Sequence, residues 1–388
     1  MHTRNSLYNK SYNRQLIIWN LLRKKASRAE LSRMTGLTRA TITMIVDELI
    51  GEGFIRETQK NVANNIVGRN PNIIEIVPDC HQILCVDIAR DDCHIGVVNF
   101  GGEVKFAKRI NICNAVTPEA AVISICIALN KLIQKNGIDQ TRILGLGITT
   151  PGPVDTVNGI IDDIPDFKLW CGFHIVDEFK KYFDINIRLE RDANAITLAE
   201  LFFGFGRKFD DFLSVSSYVG VGFGVVRNSR LYRGKLGLTP EIGHVSINMD
   251  GELCSCGNRG CLYLYYGKKR ILDRVQTDFP DIESWEEIVD RADNGEKYFL
   301  NIIEYYAGIL SIGIINAINM FEINKIVLSG FVVYRPDIFL NALNKHIRNG
   351  YITRNFFNVE IVVTEMKDNG NLIAAATGVI ESYFELLE

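Results

Sequence analysis

Apolar residues near the start of the chain recur at helical spacing. In NRQLIIWNLLRKK (13–25) they make one stripe of an amphipathic helix. Ser27-Arg28-Ala29-Glu30 then reads as a capping box: the Ser27 hydroxyl takes a first-turn N–H and the Glu30 carboxylate reaches back to the cap. Gly36 stops that helix early. Thr38 caps the next, RATITMIVDELIGEG, in which Ile42, Ile45, Val46, Leu49 and Ile50 share one face. Beyond Gly53, FIRE and IIEIV read as two short strands of a wing whose tip is Val67-Gly68-Arg69-Asn70-Pro71. This order predicts a winged helix-turn-helix, which sets its second helix in the DNA major groove. Arg28, Thr38, Arg39, Thr41 and Thr43 suit phosphates and base edges, and Arg69 at the wing tip suits the backbone or minor groove. A small protein-interaction module with solvated charges is the competing reading.

From residue 80 the pattern becomes α/β. Strands are predicted at 83–88, 95–100, 143–148, 185–189, 213–217, 220–226 and 325–328, with helices at 118–137 and 174–182. Such alternation predicts two α/β lobes around a cleft. The expected division is a head at 1–78 and a body at 79–388. Within the body, lobe one covers about 79–195 plus the C-terminal helix, and lobe two about 196–370. No run of about 18 apolar residues stands out, so no membrane partner is expected.

The length of 388 residues points to more than one domain, and the 47% hydrophobic fraction excludes global disorder. A formal charge of -3 argues against nucleic acid until the chain is divided. Residues 1–75 carry 12 Lys and Arg against 6 Asp and Glu, a net of +6, leaving 31 against 40, a net of -9, for the rest. A basic head on an acidic body is the charge asymmetry of a nucleic-acid-binding chain.

Nine cysteines raise the question of disulfides. The N-terminus is polar and lacks the apolar core of a signal peptide, so a reduced, cytoplasmic protein is expected. Six cysteines are scattered and read as packing residues. The others fall in Glu241-Ile-Gly-His244, then Cys254-Ser-Cys256-Gly-Asn-Arg-Gly-Cys261. Three thiolates and an imidazole at this spacing predict a closed, structural, tetrahedral Zn2+ site made by His244, Cys254, Cys256 and Cys261.

Read together, SRAELSRMTGLTRATITMIVDELIGEGFI, GR-N-P, PGPVD, ERDANAITLAE, GVGFG, LYRG, EIGH and CSCGNRGC resemble, in order and over the whole chain, the ROK (repressor, open reading frame, kinase) family. The winged head makes the chain similar to the family's transcriptional repressors of the xylose, N-acetylglucosamine and glucose types. The resemblance implies an actin/hexokinase-like two-lobed fold, operator DNA and a sugar or sugar derivative as partners, and a homodimer or homotetramer.

Kinase members of the family carry Asp-x-Gly-Gly-Thr and a Gly-Thr-Gly-x-Gly-x-Gly loop for ATP. Here these are Asp87-Ile88-Ala89-Arg90-Asp91 and Tyr218-Val219-Gly220-Val221-Gly222-Phe223-Gly224, so the expectation is a degenerate nucleotide site and no enzyme activity, the alternatives being an active sugar kinase or a regulator controlled by a protein partner rather than a sugar. On the sugar side the resemblance implies that Gly152, Asp192, Glu241 and His244 line the ligand. Asp192 matches the family's catalytic aspartate and would here only accept a hydroxyl, while Asn194 would serve the local turn. Arg191, Tyr263 and Asp166 stand where sugar-binding relatives carry other residues. Arg191 suits an anionic ligand, or equally an internal ion pair with Asp166, Asp192 or Glu190; a vestigial cleft is the third option.

Overall fold

The computed structural model describes residues 6–58, 72–89, 93–112, 115–162, 167–234, 240–366 and 369–385. The chain divides into two compact units. One comprises residues 1–203 and 368–388, the other 204–367.

The first unit begins with the head. Helix α1 (Ser6–Arg23) starts earlier than its apolar stripe suggests. Helices α2 (Arg28–Thr35) and α3 (Arg39–Gly51) follow, then strands β1 (Ile55–Thr58) and β2 (Ile73–Ile76). The strands pair antiparallel, Ile55 opposite Ile76, and Ala26 bridges to Ile74. Ile42, Ile45, Val46 and Leu49 are fully buried as the stripe predicts, whereas Ile50 is half-buried.

The head adjoins a sheet of order β5-β4-β3-β6-β9. Its strands are β3 (Gln82–Ile88), β4 (Cys93–Asn99), β5 (Val104–Ile110), β6 (Ile143–Thr150) and β9 (Ile187–Arg191). Strands β7 (Val154–Asp155) and β8 (Ile160–Ile161) form a small separate ribbon. Helices α4 (Pro118–Lys135) and α5 (Ile175–Lys180) share one core with Leu146 and Ile148. Alternation puts Gly145 and Gly147 on the other face, against α13 (Gly370–Ser382), where a Cβ on Gly147 would meet the Ala375 carbonyl. The Leu-Gly-Leu-Gly-Ile run thus lets a helix lie close to the sheet. Helix α6 (Asp192–Phe203) contributes to the same side of the unit, buried from Ala193 to Phe202. It ends at Phe203, the last residue of the first unit's longer stretch.

The second unit carries a sheet of order β12-β11-β10-β13-β14. Strands β10 (Phe212–Ser217), β11 (Val221–Arg227) and β12 (Arg230–Leu231) are antiparallel, and β13 (Lys325–Gly330) and β14 (Glu360–Val363) add in parallel. Around it lie α7 (Leu262–Tyr265), α8 (Lys268–Gln276), α9 (Trp285–Asp293), α10 (Lys297–Phe321), α11 (Asp337–Asn349) and α12 (Tyr351–Phe356). Helix α10 has the length and composition of a membrane span. Its polar residues are spaced so that no single run reveals this, and its apolar face, including Phe299, Ile303, Leu310 and Ile314, is spent in this unit's core.

Among the scattered cysteines, Cys85, Cys93 and Cys126 are buried and Cys80 is half-buried. Burial pushes the Cys80 and Cys126 thiols up to about 12 and raises Cys85 as well, so they stay protonated packing groups. Cys171 departs from this expectation, because it lies on the surface. Cys113 falls outside the described residues.

Candidate DNA-reading face, metal centre and effector residues

The local rules at the head are met. Ser27 donates to Glu30 from its amide and hydroxyl, 2.8 Å each, and the Glu30 amide donates to the Ser27 hydroxyl at 3.3 Å. Gly36 takes φ +71°, a left-handed cap open to glycine, and its N–H reaches Ser32 O. Thr38 accepts the Thr41 amide at 3.2 Å, and the two hydroxyls share a 2.9 Å hydrogen bond. Both threonines therefore complete the cap of α3.

Arg28 is held inside the head. It donates to Asp47 of α3 at 2.8 Å, to Glu57 of β1 at 3.3 Å and to the Thr43 carbonyl at 3.4 Å. Arg39 and Thr43 are exposed, and neither side chain bonds to another described residue. The same face exposes Ala40 and Met44, the latter by 50%. Neither is among the residues that the sequence singles out for DNA; their position off the buried stripe is the available signal. Arg69 lies outside the described residues.

In the second unit, His244, Cys254, Cys256 and Cys261 converge, with one donor atom of each within 4.8 Å of the others. Cys254 Sγ lies 3.6 Å from His244 Nδ1, and Cys256 Sγ lies 3.5 Å from Cys261 Sγ. A tetrahedral zinc ion requires edges of roughly 3.6 Å between sulfur and nitrogen and roughly 3.8 Å between sulfurs. The donor set and its spacing thus fit such an ion. Gly257 and Gly260 make the loop possible at φ +93° and +65°, and a Cβ on Gly260 would strike the backbone of Asn248. Ser246 bridges to Cys261, and Leu253 to Arg259, closing the loop on itself. Burial and hydrogen bonds with Cys256 and Cys254 push the Cys261 thiol up to about 12.

The expected effector residues fall in both units. In the first, Asp192 opens α6 directly after β9, and its carboxylate accepts the Ala193 amide at 2.7 Å. Arg191 is buried and has partners of its own. It occupies the space a side chain on Gly152 would need, a built Cβ there lying 2.7 Å from Arg191 Cδ. Asn194 is buried and donates to Glu190 at 3.0 Å, tying the start of α6 to β9. In the second unit Glu241 is exposed, and the Tyr263 ring lies 5.8 Å from that of His244. Asp166 lies outside the described residues.

The two stretches that correspond to phosphate loops have structural partners. Asp87 accepts hydrogen bonds from Thr149 of β6 at 2.8 Å and from Asn371 of α13 at 2.7 Å. Arg90, Asp91 and Asp92 are outside the described residues. Gly220 packs under the Tyr263 ring, which leaves no room for a side chain. A cavity of about 550 Å³ beside this loop is lined by Tyr218, Val219, Lys268, Lys269 and Phe331, among others.

Three helices and a two-stranded ribbon ahead of two five-stranded sheets of hexokinase-like fold, with a cluster of one histidine and three cysteines in the second unit, define the class. The chain belongs to the ROK family, whose sequence model matches residues 83–381. It is 28% identical to the xylose repressor of Caldicellulosiruptor bescii over 98% of each chain. It is 28% identical to the glucokinase of Thermotoga maritima over 76% of this chain and 96% of that one. A solved ROK family transcriptional regulator, a homologue of the E. coli MLC protein, shares its fold with a TM-score of 0.80 over 98% of both chains at 24% identity.

Proposed function

We propose that this protein is a sugar-responsive, DNA-binding transcriptional repressor of a carbohydrate-utilisation operon, acting in the cytoplasm as a homodimer or homotetramer. The observation that carries the reading is the exposed, unpaired Arg39 and Thr43 on the second helix of a helix-turn-helix, in a chain similar from end to end to a named repressor. Two heads of a dimer would meet half-sites about 34–36 Å apart on a pseudo-palindromic operator. In the first unit Asp192 would accept a hydroxyl of the effector.

His244, Cys254, Cys256 and Cys261 would hold Zn2+, whose contribution is a structural cross-link. With the ion bound, these four residues would fix the segment carrying Glu241 against the 254–261 loop and hold the His244 ring in one orientation.

Kinase activity is the competing reading, favoured by the glucokinase likeness and by the cavity beside Gly220. Against it stand the absence of the Gly-Gly-Thr sequence after Asp87 and the engagement of Asp87 with Thr149 and Asn371. Full-length protein titrated with DNA from upstream of its own gene tests the proposal: binding should weaken steeply with salt and be relieved by a sugar found in a thermal-shift screen. ATP-dependent phosphorylation of a hexose or pentose would establish the kinase instead.

A further inference from the structure

The exposed face of α3 has a composition that narrows what it can read. Residues 39, 40, 43, 44 and 47 point away from the buried stripe. Asp47 is occupied by Arg28 and is therefore not offered to a cytosine amino group. The face contains no Asn or Gln, so it lacks the amide pair that recognises adenine. What it presents is one unpaired guanidinium, Arg39, and three methyl-bearing groups, Ala40, Thr43 and Met44.

Thymine is the base that displays a methyl group in the major groove, and a guanidinium fits the O6 and N7 of guanine in a bidentate manner. Ala40 and Met44 are one helical turn apart, roughly 6 Å along the axis, or about two base steps of roughly 3.4 Å. We propose that α3 reads thymine methyl groups through Ala40, Thr43 and Met44, beside a guanine held by Arg39, so that the protein's DNA targets carry a guanine within about three base pairs of consecutive thymines. This rests on the DNA-binding reading above. An exposed Met at 44 is otherwise a cost in water, and here it supplies an adaptable apolar surface for a methyl group.

The test uses DNA sites selected from a random pool by the full-length protein. Each thymine of a selected half-site is replaced by uracil, which removes the methyl group and leaves base pairing intact. At the contacted positions the wild-type protein should bind uracil DNA roughly fourfold more weakly, the value of one buried methyl contact. Met44→Ala should bind thymine and uracil DNA alike at one of those positions, and Met44→Leu should restore most of the difference. Met44 is half exposed, so neither change disturbs the head's core. If the protein binds DNA with strong salt dependence but is indifferent to every uracil substitution, the methyl-reading inference is overturned and the DNA-binding function stands. If no salt-dependent DNA binding is found at all, both fall.

Discussion

Trp19 of α1 packs edge-on against Phe202 near the end of α6, with ring centroids 5.2 Å apart and planes at 85°. The same indole meets Phe384, just beyond α13, at 5.1 Å and 88°. Asp192, the residue proposed to bind the effector, opens α6 roughly 15 Å away along the helix axis. Ten consecutive residues of α6 are buried, and closely packed interiors shift as bodies rather than deform smoothly. A change at Asp192 therefore has a short, stiff route to the head. A second contact runs in parallel, where Phe54 stacks on Tyr383 at 5.7 Å and meets Phe100 at 5.1 Å.

Trp19→Ala should uncouple the two ends of this route. The head keeps its own core of Ile17, Ile18, Leu31 and Ile45, so operator binding should survive. The ratio of operator affinities without and with effector, expected at roughly 5- to 150-fold in the unaltered protein, should collapse towards one. A titration giving an unchanged ratio would remove the α6 route.

Asp192→Ala isolates the other end. Operator affinity without effector should stay within about twofold, while the effector-induced rise in melting temperature should disappear. A normal thermal shift in this variant would remove Asp192 from the ligand set.

The metal centre predicts one zinc per chain. Cys254→Ser should release it and lower the unfolding temperature of the protein, since metal binding is coupled to folding. Gly260→Ala reaches the same end without touching a ligand, because its Cβ displaces the Asn248 backbone and opens the loop. Elemental analysis of both variants checks this; full zinc occupancy in Gly260→Ala would argue against the loop's role.

Two arginines of the head should separate in their salt dependence. Arg39→Ala should relax the preference for guanine and cost about 1–3 kcal/mol on a guanine-bearing site, and its lost positive charge should lower the slope of log K against log salt by less than the roughly 0.9 of a phosphate contact. Arg28 is engaged with Asp47 and Glu57, so Arg28→Ala should leave the slope unchanged and cost about 0.2–1 kcal/mol of head stability. Equal slopes for the two variants would show that Arg28 also reaches DNA.

Glu75 gives the head an acid limit. It is buried in β2, and hydrogen bonds from Lys25 hold its carboxyl below the ordinary value, with burial opposing and Arg56 adding to the effect. A carboxylate whose folded pKa is depressed contributes stability above its unfolded pKa and loses it as pH falls through the folded one. Denaturation of the protein should therefore ease as pH drops below the usual carboxylate range. Glu75→Gln should flatten that dependence and cost about 1 kcal/mol at neutral pH, the partners being exposed. An unaltered acid profile in the variant would count against it.

Short-range chemistry was legible in the sequence. The Ser27-Glu30 box, the Gly36 turn, the Thr38 cap, the Ile42-to-Leu49 stripe and the Cys-x-Cys-x4-Cys loop all depend on residues within a few positions of one another, and backbone geometry leaves such patterns few alternatives. Even the Leu-Gly-Leu-Gly-Ile alternation announced a strand, though not the helix that would lie on its glycine face.

What only the tertiary structure decided are pairings between residues far apart in the chain. Arg28 looked available for phosphate until Asp47 and Glu57 were folded beside it. Met44 lies off the predicted stripe, and the fold leaves it exposed on the same face as Arg39. Asp87 found Asn371 across 284 positions, and Trp19 found Phe202 and Phe384. A side chain's type and local spacing limit the chemistry it can perform. Whether that chemistry faces DNA, a ligand or another side chain depends on which distant elements packing brings against it, and no local pattern encodes that.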